Sequence, residues 1–435
     1  MLNSRRSFLK QLGGITGAAI VANSFFDPRL VKKVEAAAAK IAHLPPAEAA
    51  TEESFWFHVQ QAYTTTRGII NLNNGGVSPQ PKIVQDAMAR YNEFSNEAPA
   101  QTMWNVLGPR RETIRSKLAA LAGCSPEELA IVRNTTEALE TVIFGLDMKQ
   151  GDEVLTTNQD YPSMMRAWHQ REKREGVVVK TVSIPTPPEN VSEITRALEK
   201  GITKNTKVIM VSHIIFLTGQ ITPVQEICEL AHAHGIEVIV DAAHSFAHLD
   251  FKIPDLGCDY FGTSLHKWLC APFGTGMLWV KKEKIEKLWP LFAPADPKSN
   301  DIRKFEALGT RSFPAELGIG EAIHFHNGIG SQRKEERLRY LKNYWAEKVS
   351  TFPGVKMNTS LQKQQSCCLG NFSIKGIEPE KICDYLFNKH KIYTVPIKHE
   401  EFKGVRVTPH VYTTMEELNY FIAVVEKIAT RGIPD

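Results

Sequence analysis

Between residues 129 and 280 the chain repeatedly sets a short, unbroken apolar run beside a longer segment with helical spacing. "AIVRN", "EVLTT", "GVVVKTVSI", "KVIMVSH", "IEVIVD", "YFGTS" and "TGMLWV" are the short runs. Several are continuous in Val and Ile rather than alternating, the pattern of strands covered on both faces. Between them, "TTEALETVIFGL" places Leu139, Val142, Ile143 and Leu146 at helical spacing, and "PVQEICELAHAHG" ends a helix on its glycine. Strands alternating with helices predict an α/β chain, its mostly parallel sheet covered by helices on both faces. From about residue 311 the pattern changes to a long charged helix, "SQRKEERLRYLKNYWAEKV", short strands and a last helix, "TMEELNYFIAVVEKIA". That change predicts a smaller α+β domain over 311–435 after a large domain over 71–310.

The 435 residues suffice for two such domains, with 43% apolar and 23% charged residues and a formal charge of +4. No run of Lys and Arg interleaved with aromatics marks a nucleic-acid groove, so nucleic acid is not an expected partner. The N-terminal "SRRSFLKQLGGITGAAIVANSFF" sets Arg5 and Arg6 before a short apolar run and reaches small residues at Ala36–Ala38. This is the pattern of a twin-arginine export signal over 1–38, and its apolar run is too short and glycine-broken for stable membrane insertion. The expected destination is the periplasm or beyond, reached through the twin-arginine machinery, which carries proteins already folded. Residues 39–70 read as a linker followed by a helix, "SFWFHVQQAY". Seven cysteines without framework spacing make a disulfide scaffold unlikely to be the plan of the fold.

Three residue groups fall at carboxyl ends of predicted strands, where α/β sheets collect ligands. Asp241 ends "IEVIVD", Lys267 follows "YFGTS", and "RNTTEAL" puts Thr135 and Thr136 at a helix start suited to a phosphate. Singly, each has a bland reading: a turn aspartate, a snorkelling lysine, a capping box. Together they are what a pyridine cofactor with a phosphate arm requires: a Schiff-base amine, a carboxylate for the ring nitrogen, and phosphate donors. "HAHGIEVIVDAAHSFAHLD" also holds His232, His234, His244 and His248, but no clustered metal-ligand spacing, and no metal is expected.

From "INLNNGGVSPQP" to "GVRVTPHVYTTMEEL", with "VDAAHS", "TSLHKW" and "GTGML" in order, the chain resembles the class V aminotransferase-fold enzymes. That pyridoxal phosphate group includes cysteine desulfurases, kynureninase and isopenicillin N epimerase, and the overall similarity is greatest to isopenicillin N epimerase-like proteins. The resemblance implies PLP fold type I with pyridoxal 5'-phosphate as cofactor. Lys267 would form the imine and shuttle the α-proton, Asp241 would pair with the pyridine nitrogen, and His244 would bond the phenolic oxygen. Thr135, Thr136, Ser264 and His266 would bind phosphate, and Tyr161 would stack on the ring. Thr310 would reach the phosphate of a partner subunit, which implies a homodimer with shared sites. Arg406 would hold a substrate α-carboxylate.

Two departures qualify the resemblance. The loop before Arg406, "IYTVPIKHEEFKGVR", lacks the cysteine of desulfurases, and the nearest, Cys383, belongs to a helix. Desulfurases also have "HVSN" where this chain has "HIIF", so Phe216 replaces an asparagine. The expected activity is therefore chemistry at the Cα of an amino acid or aminoacyl compound, epimerisation first. Transamination or C–S cleavage is the alternative, and a non-catalytic exported binding protein of the same fold a second.

Overall fold

The computed structural model describes residues 29–434. Arg5 and Arg6 lie outside the described residues. Thirteen strands appear among the described residues: β1 (Ile70–Asn71), β2 (Leu129–Val132), β3 (Glu153–Thr157), β4 (Val178–Val182), β5 (Thr206–Ser212), β6 (Glu237–Asp241), β7 (Tyr260–Ser264), β8 (Gly276–Val280), β9 (Val355–Met357), β10 (Gly370–Ile374), β11 (Ile392–Tyr393), β12 (Val395–Lys398) and β13 (Lys403–Val407). The large sheet has the order β2-β8-β7-β6-β5-β3-β4. Neighbours from β7 through β6, β5 and β3 to β4 are parallel, and β8 runs antiparallel to both β7 and β2. The chain has the expected α/β architecture.

The unbroken apolar runs explain themselves once the faces are separated. Ile209, Val211, Val238, Val240, Phe261, Met277 and Trp279 enter one core, with Leu118, Ile194, Leu198 and Ile227 from covering helices. Their sequence neighbours Val208, Met210, Ile239, Tyr260, Leu278 and Val280 enter another core, with Leu139, Val142, Met164 and Trp168 from the helices Thr135–Gly145 and Pro162–Glu175. Strand side chains alternate between faces, so a strand buried on both sides needs apolar residues at every position. Each fully buried Val, Ile or Leu contributes roughly 1.5–3 kcal/mol, which fixes the register of the central strands.

A four-stranded antiparallel sheet, β12-β13-β10-β9, forms the smaller unit. Trp345 of the helix Ser331–Val349 and Phe421 of the helix Met415–Arg431 pack on its Phe372 and Val405. The helix Phe313–Ile329, assigned to this unit from sequence, instead packs on the helices Lys82–Glu97 and Arg111–Ala122 of the large body. Its Ile319 and Ile323 are part of the core on that side of the sheet. The division therefore falls nearer 330 than 310.

Residues 39–70 are also more integrated than a linker. Phe55, Trp56 and Val59 are buried, and Trp56 Nε1 donates to Ala49 O at 2.8 Å. The expected signal boundary at 38 falls inside the helix Arg29–Lys40, whose Val34 and Ala37 join the same core as Phe325 and Ile329. Among the described residues, no helix is long and apolar enough to cross a membrane.

One buried ion network ties the segment after the large sheet to its β2 edge. Glu306 accepts from Ile131 N at 2.6 Å, Arg111 Nη2 at 2.7 Å and Arg115 Nη1 at 2.5 Å, and Arg115 is fully buried. Removing the acid leaves that guanidinium without its main counter-charge. Glu306→Ala is expected to cost about 3–5 kcal/mol of unfolding free energy, read from urea melts. A loss below about 1 kcal/mol would show that Arg115 finds compensation elsewhere.

Candidate active site

The carboxyl ends of β5, β6 and β7 lie side by side, with Ser212 opposite Asp241 and Asp241 opposite Gly262. Immediately past β7, the chain turns tightly: Leu265 N donates to Thr275 O at 2.9 Å, Cys270 N to Lys267 O at 3.2 Å and Ala271 N to Leu265 O at 3.0 Å. This closed loop points Lys267 back over the strand ends. Lys267 and Asp241 line one cavity with Gly76, Thr135, Thr136, Tyr161, His244, Ser264 and His266. All the residues chosen from sequence therefore converge on it except Thr310 and Arg406.

Burial dominates the electrostatics here. It lowers the Lys267 ammonium to about 8, with Asp241 opposing the drop and Arg406 adding to it. Burial also raises Asp241 to about 6, against the Ala243 N–H at 3.0 Å and the Lys267 charge, both of which favour the carboxylate. Each group is moved toward its neutral form, the direction desolvation imposes. His244 stands beside this pair, with Nε2 at 3.5 Å from Lys267 Nζ. Its basicity is held far below normal by burial and by the charges of Lys267 and Arg406.

The helix Thr135–Gly145 begins at the same cavity, with Thr135 and Thr136 in its lining. Asn134 caps it by accepting from Glu137 N at 2.9 Å. Ser264 Oγ accepts from Thr135 N at 2.9 Å and lies 2.7 Å from Thr135 Oγ1. Gly276 is required by this packing, because a Cβ there would lie 2.6 Å from Asn134 Cα. His266 Nδ1 faces the Thr275 carbonyl at 3.1 Å, so it carries the hydrogen, and Nε2 can donate to an anion only when the ring is protonated.

Arg406 reaches the site from β13. Its Nη1 donates to Phe216 O and its Nη2 to Asn73 Oδ1, each at 2.9 Å, while Nε is buried without a partner. Burial lowers this guanidinium to about 10, and Tyr161 stands near enough to oppose the shift. Tyr161 precedes the helix Pro162–Glu175, is 41% exposed, and meets Phe216 edge-on at 5.2 Å. Phe216, the departure from the desulfurase pattern, thus forms an aromatic wall with Tyr161. Thr310 lies on an exposed turn outside the cavity lining.

The histidines weighed as metal ligands are engaged separately. His232 Nε2 meets Asp259 at 3.0 Å, and His248 lies between His244 O at 2.7 Å and Cys368 N at 3.0 Å. Among the described residues, no group of three or more His, Cys, Asp and Glu is arranged for a metal ion. Cys383 is buried in the helix Pro379–His390, accepts from Thr394 Oγ1 at 3.3 Å, and burial pushes its thiol up to about 11.

A family model, aminotransferase class V, matches residues 70–421. The chain belongs to the class V aminotransferase family. Isopenicillin N epimerase of Amycolatopsis lactamdurans is 26% identical over 393 residues, covering 86% of this chain and 98% of that protein. A probable cysteine desulfurase of Halalkalibacterium halodurans is 28% identical over 336 residues, covering 73% of this chain and 80% of the relative. Among solved structures, the cysteine desulfurase of Thermococcus onnurineus NA1 superposes with a TM-score of 0.76 at 23% identity, over 85% of this chain and 97% of that one. A mutant of C-DES with glycine covalently linked to its PLP cofactor gives 0.76 at 19% identity, over 84% and 98%.

In this class V family member, sequence reasoning missed Asp160 and Ser212. Asp160 accepts from both N and Oγ of Ser212 and from both N and Oγ1 of Thr157, at 2.8–2.9 Å. It thereby pins the turn before Tyr161 to the β5 end. Its only signal was its place one residue before Tyr161, in a turn where aspartate is common.

The lowered Lys267 pKa has a direct readout in amine reactivity. Only the neutral amine is acylated, so the rate at Lys267 should rise with pH up to about 8 and level off above it. Exposed lysines should continue to gain rate toward their ordinary value near 10.4. Pulse labelling with an acid anhydride and peptide mass spectrometry would measure both, and a Lys267 profile like that of the exposed lysines would contradict this electrostatic account.

Proposed function

We propose that this chain carries pyridoxal 5'-phosphate on Lys267 and acts at the Cα of an amino acid or aminoacyl compound as an isopenicillin N epimerase-like racemase or epimerase. The observation that carries the reading is the meeting of an amine, a buried carboxylate, an imidazole and a hydroxyl-rich helix start in the lining of one cavity. The donor set fits the group. Lys267 supplies the amine, Asp241 the carboxylate for the ring nitrogen, and His244 a partner for the phenolic oxygen. Thr135, Thr136 and Ser264 would supply the phosphate contacts beside His266, at a helix start that a side chain at 276 would push away through the Asn134 backbone. Bound there, the cofactor supplies an electron sink for charge developing at Cα.

The protein's own task is then to orient and to move protons. Arg406 would bind the substrate α-carboxylate; its Nε, buried without a partner, is committed to no other bond. Lys267 Nζ would take the Cα proton, and with a pKa near the working pH it is suited to do so. Inversion needs proton return on the opposite face, by Lys267 or by a second acid, for which Tyr161 is the candidate. The aromatic wall of Tyr161 and Phe216, the buried Cys383, and the absence of cysteine from the cavity lining argue against persulfide chemistry.

Transamination and C–S cleavage begin with the same proton removal and form the second reading. Incubation of the purified, PLP-loaded protein with amino-acid panels in deuterated water separates them. Deuterium at Cα with inverted chirality is the expected result, abolished in Lys267→Ala. Release of pyruvate or sulfide, or dependence on an added keto acid, would replace epimerisation by lyase or transaminase chemistry. Cofactor uptake without exchange on any substrate would favour a binding protein.

We also propose a homodimer, in which the exposed Thr310 reaches the partner's phosphate site, and export through the twin-arginine machinery. Exposed Trp104 and Phe273 supply apolar surface suited to such a contact. Replacing Arg5 and Arg6 by lysine should retain the protein in the cytoplasmic fraction of the producing cell, while the unaltered chain appears in the periplasmic fraction. Equal distribution of the two would refute the export assignment.

A further inference from the structure

Lys267 and Trp268 are consecutive, yet they address the two nitrogens of one imidazole. Lys267 Nζ lies 3.5 Å from His244 Nε2, and Trp268 Nε1 donates to His244 Nδ1 at 3.4 Å. An indole N–H donates and never accepts, so Nδ1 must present its lone pair. The neutral ring then carries its hydrogen on Nε2, aimed at Lys267.

The indole has little freedom to do otherwise. Trp268 is fully buried between two rings, His248 at 3.9 Å and 21° and His410 at 5.5 Å and 15°. Its carbonyl accepts from the buried Lys334 ammonium group. His248 is itself fixed: its Nδ1 meets only an acceptor, His244 O, so it carries the hydrogen, and its Nε2 accepts from Cys368 N. Thus the backbone and the ring of His244 are each held by a residue whose own orientation is set by packing.

We infer that Trp268 is a positioning residue that locks His244 as the Nε2–H tautomer, so that a hydrogen-bond donor always faces Lys267. In the free protein a donor at that point favours the neutral, nucleophilic form of the Lys267 amine, since an ammonium would face a second donor. Burial lowers the basicity of both His244 and Lys267, in agreement with this arrangement. The charged or titratable groups that face this amine are Asp241 from β6, His244 from the turn after it, and Arg406 from β13. The consequence for cofactor capture rests on the proposed pyridoxal phosphate chemistry; the tautomer itself does not.

Two measurements separate those claims. Long-range 15N–1H spectra of cofactor-free protein labelled with 15N-histidine, with His244→Gln to assign the signal, report the tautomer directly. An Nε2–H signature for His244 is expected, and Nδ1–H would overturn the inference whether or not any variant folds. Pyridoxal 5'-phosphate is then added to the cofactor-free chain and the growth of its protein-bound visible band is timed. Trp268→Phe keeps an aromatic ring but loses the donor, and should slow capture roughly tenfold, the scale of one lost hydrogen bond. In the His244→Gln background, where the side chain has no tautomer to fix, the same change should have little effect. Unchanged capture by Trp268→Phe, or equal slowing in both backgrounds, would reduce Trp268 to a packing residue. If the unaltered chain captured no pyridoxal phosphate, the proposed function would fail while the spectra still decided the tautomer.

Discussion

The desolvation of two opposite charges at the ends of adjacent strands organises everything around the cavity. Taken from water separately, the Lys267 ammonium and the Asp241 carboxylate would each be costly, and mutual attraction offsets only part of the cost. Burial prevails for both, lowering the amine to about 8 and raising the acid to about 6. A lysine far out on the surface could not serve as a nucleophile near neutrality, and one buried without an acid nearby would carry a still heavier desolvation cost. The parallel sheet solves this by delivering β6 and β7 flush, so the acid comes from a strand tip and the amine from the loop that follows its neighbour. Strain is tolerated there: Cys270, three residues after Lys267, has a φ of 58°, unusual for any residue with a side chain. The hydrogen bonds at 265, 270 and 271 over-determine that loop and keep it in place.

Much of this was legible in the sequence because it follows from composition at single positions. A strand apolar at every residue can only be covered on both faces, and 208–211, 238–240 and 277–280 all have that form. An acid ending such a strand, or a lysine just beyond one, stands out for the same reason. Other features were illegible because they depend on which surfaces meet. The helix Phe313–Ile329 follows the large sheet in sequence and adjoins the charged helix Ser331–Val349, yet its apolar positions fit helices 200 residues earlier in the chain. Trp268 is a fully buried core residue. Its polar edge matters because His244 lies beside it, a relation between positions 24 residues apart that periodicity does not encode. The four bonds to Asp160 likewise join two strand ends distant in sequence.

The smaller unit enters the site through one strand. β13 pairs with β10 and β12, and from it Arg406 crosses to Phe216 O and Asn73 on the large body. Asn73 is in turn bridged to Thr408, two residues beyond Arg406. The guanidinium's planar fork is therefore fixed by a carbonyl and an amide of the large body, with Nε left over. A lysine at this position could keep the charge but not this orientation.

If Arg406 holds the substrate carboxylate as proposed, that arrangement would couple substrate recognition to the amine. Arg406 is one of the charges that depress Lys267 in the free protein. An anionic carboxylate bound against the guanidinium would cancel most of that field, since opposite charges in contact look nearly neutral from a distance. Lys267 would then become the stronger base at the moment a Cα–H bond lies in front of it. On the proposed chemistry the same residue would be a good nucleophile toward the cofactor in the free protein and a better proton acceptor once a substrate carboxylate is bound. Nothing needs to move for the change to occur: the charge of the incoming molecule is enough, and a substrate lacking the carboxylate would leave the amine as it was.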